Sequence, residues 1–156
     1  MQLMFRTMGE EEAKAICQWR YDGIYAVYNL PSWPEAVQQH YGITDAQTRA
    51  AEFFAIYYQE ELVAWYRLRR RGRTGLLGLG TRPDWCGQGK GREIVNGIWE
   101  HISTYTDICE IMLEVRTMNQ RAIRCYQQCG FTIQGEPYRQ QAPQGQDTFV
   151  AMYRRS

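Results

Sequence analysis

The stretch with the clearest chemical content runs Thr81-Arg82-Pro83-Asp84-Trp85-Cys86-Gly87-Gln88-Gly89-Lys90-Gly91-Arg92. Glycines at 87, 89 and 91 lack the Cβ atoms that would keep an anion away from main-chain N–H groups. Lys90 and Arg92 add positive charge at the same rim. An apolar run with regularly placed glycines, Gly75-Leu76-Leu77-Gly78-Leu79-Gly80, leads in, and Ile94, Val95, Ile98, Trp99 and Ile102 lead out at helical spacing. The order is strand, tight turn, helix. A helix start carries four N–H groups without intrahelical partners and about half a positive charge, so the stretch reads as a phosphate cradle. Two common phosphate motifs do not fit it. Gly87-x-Gly89-x-Gly91 lacks the G-x-G-x-x-G spacing, and no acidic residue ending a strand follows about twenty residues on. Lys90 is followed by Gly91, where a P-loop requires a hydroxyl residue.

The elements that hold this turn can be read along the chain. Residues 3–6 form a plausible first strand. Thr7-Met8-Gly9-Glu10 has capping-box spacing ahead of a helix bearing Ala13, Ile16 and Cys17. A dense aromatic segment, residues 19–31, follows, and Ser32-Trp33-Pro34-Glu35 marks a second short helix toward His40. Residues 53–58 and 62–68 read as strands, 76–81 as a third, and the helix after the Gly-rich turn runs to about residue 104. Residues 111–115 are an apolar strand carrying Glu114. Asn119 caps a helix over 120–129 that Gly130 ends. Strands at 132–134 and 148–153 flank a Gln-, Pro- and Gly-rich loop over 139–146. The expected fold is α/β, a mixed sheet with helices on both faces, in a single domain over 1–156.

Composition narrows the function. A formal net charge of +1 over 156 residues gives no global field for nucleic acid or an anionic membrane. Arg67, Arg69, Arg70, Arg71 and Arg73 crowd one hairpin end, and without a wider basic surface they read as a solvated turn. No apolar run reaches the eighteen or so residues of a membrane span, and no secretion signal opens the chain. Five cysteines without a CxxC pair read as reduced thiols in a cytoplasmic protein. Cys125 and Cys129 stand four apart, but both histidines, His40 and His101, are far off in sequence, so no metal site is expected.

Cys86-Gly87-Gln88-Gly89-Lys90-Gly91 resembles the pyrophosphate loop [Q/R]-x-x-G-x-[G/A] of the GNAT acyltransferase superfamily, with Cys86 in place of the usual Gln or Arg. A second block matches N-x-x-A-x-x-x-Y-x-x-x-G-F through Asn119, Ala122, Tyr126, Gly130 and Phe131. The resemblance is strong over 74–135. Together with Leu113-Glu114-Val115-Arg116 it looks most like the ribosomal-protein alanine N-acetyltransferase group. The resemblance implies a GNAT-like, mostly antiparallel sheet with splayed middle strands, and direct acetyl transfer from acetyl-CoA to a primary amine without metal. The pantetheine arm would pair with Leu79, Gly80 and Thr81. The turn from Gly87 to Arg92 would hold the pyrophosphate, with Cys86, Gln88, Lys90 and Gly91 in the loop and Asn119 either at the cofactor or only capping its helix.

An ammonium must lose a proton before it attacks. Glu114 is the candidate base, its carboxyl raised by desolvation in an apolar strand, unless it serves in an ion pair with Arg116. Tyr126 would protonate the leaving thiolate, or else be a core tyrosine. Tyr25, Tyr28 and Trp33 lie where this superfamily shapes its acceptor pocket, though such aromatics also build cores. Cys86 as a covalent nucleophile is disfavoured, having no histidine near it in sequence. The acceptor is a small-molecule amine or a peptide N-terminus, and a homodimer is compatible with the reading. The alternative is a non-catalytic CoA-binding regulatory module.

Overall fold

The computed structural model describes residues 1–156. Seven strands, β1 (Met4–Thr7), β2 (Phe53–Tyr58), β3 (Glu61–Arg71), β4 (Thr74–Thr81), β5 (Glu110–Arg116), β6 (Thr132–Ala142) and β7 (Gly145–Arg155), form one sheet in the order β1-β2-β3-β4-β5-β7-β6. Five α-helices accompany them: α1 (Glu10–Cys17), α2 (Trp33–Gln38), α3 (Ala46–Glu52), α4 (Gly91–Tyr105) and α5 (Gln120–Gln128). The expected mixed, mostly antiparallel α/β sheet is what forms. No helix is long and apolar enough to cross a membrane. The chain divides into two compact units, Met1–Leu68 with Leu79–Lys90, and Arg69–Gly78 with Gly91–Ser156.

In the first unit β1 and β3 flank β2 in antiparallel register, with a bulge at Ile56/Tyr57. Helix α1 buries Ala13, Ile16 and Cys17 in a cluster with Met8, Ile43, Phe53 and Ala55. The capping box sits two residues later than expected. Gly9 is the N-cap, and its N–H donates to Glu12 Oε1 at 2.7 Å. Glu12 is fixed there because its other oxygen accepts the Tyr57 hydroxyl. Ser32 caps α2 as expected, accepting the Glu35 N–H at 3.4 Å. Helix α3 is absent from the sequence reading because its seven residues, AQTRAAE, carry no apolar stripe. Asp45 starts it by accepting the Thr48 N–H and hydroxyl at 2.9 and 2.8 Å, and these bonds hold its carboxyl below the usual range.

In the second unit β4 and β5 pair in parallel only from Thr74↔Glu110 to Leu76↔Met112. On its other edge β5 pairs with β7 along its whole length. Residues 139–146, expected as a loop, are mostly strand: Arg139 pairs with Thr148, Gln140 with Asp147, Gln141 with Gln146 and Ala142 with Gly145. Strand β6 is an edge strand with no buried residue. Main-chain hydrogen bonds hold it, so it lacks the apolar alternation by which a half-buried strand is read from sequence.

Two of the five arginines near the hairpin end, Arg67 and Arg70, pair with carboxylates. Arg67 Nε donates to Glu52 Oε1 at 2.8 Å. Arg70 pairs with Asp107, and Arg73 Nε donates to the Asp107 carbonyl at 3.1 Å.

Candidate active site

The end of β4 and most of the Gly-rich turn belong to the first unit. Arg82 donates its N–H to the Val63 carbonyl at 2.8 Å. Along an antiparallel pair, successive residues turn their N–H and C=O groups to opposite edges. The N–H of Arg82 therefore faces β3, and the carbonyl of the same peptide, on Thr81, faces away from it. Gly80 is glycine because an added Cβ would overlap the Trp65 indole nitrogen. The Thr81 carbonyl is not free: the Tyr21 hydroxyl donates to it at 2.6 Å and the Cys86 thiol lies at 3.7 Å. The second contact defines what Cys86 does in place of the usual Gln or Arg, since its thiol turns back onto its own loop.

Beyond Thr81 a short 3₁₀ turn, Pro83–Trp85, buries Trp85. Its indole meets the Tyr58 ring edge-on at 5.5 Å, and Lys90 Nζ lies 4.2 Å from an indole ring centroid. The Lys90 charge is thus fixed at the turn and not trailing in solvent, a contact worth about 0.5–2 kcal/mol. Gln88 Nε2 donates to the Asp84 carbonyl at 2.5 Å and closes the turn. Gly87 and Gly89 have φ of 74° and 75°, the left-handed region that bulkier residues avoid. A Cβ at Gly89 would meet nothing within 4 Å. The turn therefore presents open space above main-chain amides and runs directly into α4, a donor set suited to a diphosphate.

The aromatic segment belongs to this unit too. Gly23–Tyr28 is a 3₁₀ helix with no buried residue, and Tyr25 and Tyr28 are half-buried. Neither ring is fully buried. Trp33 differs: it packs against the buried cluster of α1, with Lys14 Nζ 5.7 Å from its ring, so its indole is engaged structurally.

Gly91, Arg92, Glu114, Asn119 and Tyr126 belong to the second unit. A Cβ on Gly91 would stand 3.2 Å from Cys125 Sγ, so the first residue of α4 is glycine where it passes α5. The Cys129 thiol contacts the Arg92 carbonyl at 3.7 Å. Burial, with Cys129 adding to it, pushes the Cys125 thiol up to about 11, which leaves it a neutral, unreactive side chain. Asn119 caps α5, accepting the Ala122 N–H at 3.1 Å. Tyr126 is half-buried, its ring 6.0 Å from that of Phe131 and tilted by 58°. Its carbonyl accepts N–H bonds from Cys129 and Phe131, both at 3.0 Å, which close the end of α5 and fix the tyrosine's place.

Glu114 does not sit in the desolvated setting expected of it. On β5 Leu113 and Val115 are buried, while Glu114 is exposed, because alternate residues of a strand face opposite sides. Its expected partner Arg116 is taken elsewhere, donating to Asp147 at 2.9 Å and to Gln144 at 3.3 Å. Glu114 accepts the Tyr138 hydroxyl at 2.6 Å instead. Burial and this bond push the Tyr138 phenol up, so it remains the donor. Sequence reading missed two residues, Tyr21 and Tyr138. The dense aromatic run could have flagged Tyr21. Nothing marked Tyr138, which reaches Glu114 only through the long β6–β7 pairing. No group of three or more His, Cys, Asp or Glu side chains is gathered to hold a metal.

The family model described as the acetyltransferase (GNAT) family matches residues 14–131. No curated protein matches the chain in sequence. Among solved structures, a spermidine N-acetyltransferase SpeG chimera from Vibrio cholerae and hSSAT superposes with a TM-score of 0.76 at 20% identity, over 99% of this chain and 96% of that one. AAC(6')-Ib in complex with ribostamycin and coenzyme A gives 0.75 at 18%, over 99% and 94%. The ribosomal-protein-S18-alanine N-acetyltransferase from Escherichia coli gives 0.68 at 16%, over 99% and 94%. At these identities the likeness is one of fold.

Proposed function

The chain belongs to the GNAT acetyltransferase family, and from that premise we propose that it is an N-acetyltransferase, moving an acetyl group directly from acetyl-CoA to a primary amine. The observation that carries the reading is the turn itself. Two left-handed glycines, open space over Gly89 and a helix start at Gly91 are what a diphosphate requires. Acetyl-CoA, as co-substrate, supplies the activated acetyl group.

The protein's own groups then have these roles. Main-chain amides of the 87–92 turn, with Lys90 and Arg92, hold the diphosphate. Leu79 pairs with the pantetheine arm, and its N–H polarises the thioester carbonyl, a donor worth about 3–4 kcal/mol in such sites. The Thr81 carbonyl is already engaged by Tyr21, so of the last three residues of β4, Leu79 takes the larger share. Glu114, directly or through water, removes the proton that lets the amine attack. The nitrogen–carbon bond forms as the carbon–sulfur bond breaks, and Tyr126 protonates the departing thiolate. Asn119 orders the start of α5. Tyr25, Tyr28 and Trp33 line the acceptor side, Trp33 with its indole also packed against the buried cluster of α1.

The acceptor class, a small amine or a peptide N-terminus, belongs to the same proposal, as does the reading of 1–156 as one catalytic domain. A cytoplasmic setting is supported by five free cysteines. A homodimer is compatible with all of this.

The test is calorimetric titration with CoA, followed by a thiol-release assay with acetyl-CoA against a panel of amines. Heat of binding with acceptor-dependent release of CoA is expected. Binding without release to any amine would leave only a regulatory CoA-binding module. Glu114→Gln should lower kcat/KM by about 10²-fold or more at neutral pH. It should also remove the acidic limb of the pH–rate profile, since a protonated carboxylate no longer accepts the ammonium proton. A profile that keeps that limb would assign the base elsewhere.

A further inference from the structure

We propose that Tyr21 is a positioning residue that aims the phosphate-binding turn, a role that rests on the functional reading above and that the family's sequence motifs do not include. The observation is one peptide group held from both edges. The N–H of Arg82 is bound to the Val63 carbonyl at 2.8 Å, and the carbonyl of the same peptide, on Thr81, is bound by the Tyr21 hydroxyl at 2.6 Å. This is the last peptide of β4 before the chain leaves for Gly87 and Gly89, so its plane sets the direction of exit.

Little is left free after that point. Trp85 N–H returns to the Arg82 carbonyl at 2.8 Å and Cys86 N–H to the Pro83 carbonyl at 3.2 Å. The Cys86 thiol rests near the Thr81 and Arg82 carbonyls, at 3.7 Å each. A rotation at Thr81 is therefore passed on to the glycines.

Tyr21 is itself anchored. Its N–H donates to Asn29 Oδ1 at 2.7 Å, and Asn29 Nδ2 donates to the Tyr21 carbonyl at 3.4 Å. Asn29 thus ties the neck of the 21–29 loop, and the phenol links that loop to the end of β4. Burial, and next the nearby Cys86, push the phenol's ionisation upward, so it stays a donor throughout the neutral range. This hydrogen bond ties the loop that carries Tyr25 and Tyr28 to the strand that leads to the cradle.

Tyr21→Phe keeps the ring and removes only the donor. CoA affinity is expected to fall about three- to tenfold, the range for one lost hydrogen bond. ADP, which carries the diphosphate without the thiol arm, should weaken by the same factor, and the amide resonances of Gly87 and Gly89 should shift in the ligand-free variant. With saturating acetyl-CoA, kcat should stay within about twofold of wild type, a binding effect and not a chemical one. Unchanged CoA and ADP affinities with a lowered Tm would overturn the proposal and leave Tyr21 a packing residue. Loss of CoA affinity without loss of ADP affinity would also overturn it, pointing to contact with the arm. If the wild type takes up no CoA, the functional reading fails by itself, and the Gly87 and Gly89 resonances decide alone whether Tyr21 sets the turn.

Discussion

Replacing Tyr126 with phenylalanine is expected to lower kcat by about two to three orders of magnitude while the CoA dissociation constant stays within about twofold of wild type. The separation follows from where the residue sits. The main chain of Tyr126 is fixed by its carbonyl, which closes the end of α5, and its ring by the contact with Phe131. A phenylalanine ring keeps that contact, so the fold should be retained. What is lost is one proton at the moment the carbon–sulfur bond breaks. A departing thiol of pKa about 8.5 can leave as the anion, which is why the expected loss is large and not complete. Single-turnover and steady-state rates with acetyl-CoA, beside calorimetry with CoA, measure both halves. Turnover equal to wild type would remove the acid role.

Gly89→Val is expected to weaken CoA binding by at least about 100-fold, near 2.7 kcal/mol. Two effects act together. A β-branched residue at φ 75° is a conformational outlier, and relaxing it would turn the neighbouring amides away from the ligand. The added side chain would also enter the open space above the turn, where charge-assisted bonds of about 1.5–3 kcal/mol each would form with phosphate. Gly72→Val separates strain from function. Gly72 has φ 61°, and its Cβ would likewise meet nothing within 4 Å, but it turns the hairpin between β3 and β4. Both variants should lose comparable thermal stability, and only Gly89→Val should lose CoA affinity. Equal CoA binding by the two would remove the cradle from the 87–91 turn.

The local frame of the site was legible in the chain because it is written in short-range chemistry. Glycines at 87, 89 and 91 between a strand and an apolar-striped helix announce a turn and a helix start. Asn119 and Gly130 bracket α5 at the cap positions their side chains, or lack of one, favour. Strand β2 could be read to its observed ends, 53–58, from its aromatic and apolar content. The α1 cap was misplaced because the deciding interaction, Glu12 with Tyr57, joins residues 45 apart in sequence. The long β6–β7 hairpin was hidden because an edge strand need not alternate. Helix α3 was hidden because a short polar helix has no stripe to read.

Sequence by itself determined the kinds of groups available: small residues where an anion must come close, a phenol about two helical turns after a capping asparagine, and a carboxylate on an apolar strand. Only the tertiary structure decided how those groups are committed. It turned Glu114 to the exposed face beside Tyr138, gave Arg116 to Asp147, set Trp33 against the core, and closed Tyr21 onto the Thr81 carbonyl sixty residues away. The reason is physical. Backbone conformation and capping are settled within a few residues by sterics and local hydrogen bonds, whereas exposure and the choice of partner depend on which strands and loops become neighbours, and that is fixed by packing over the whole chain.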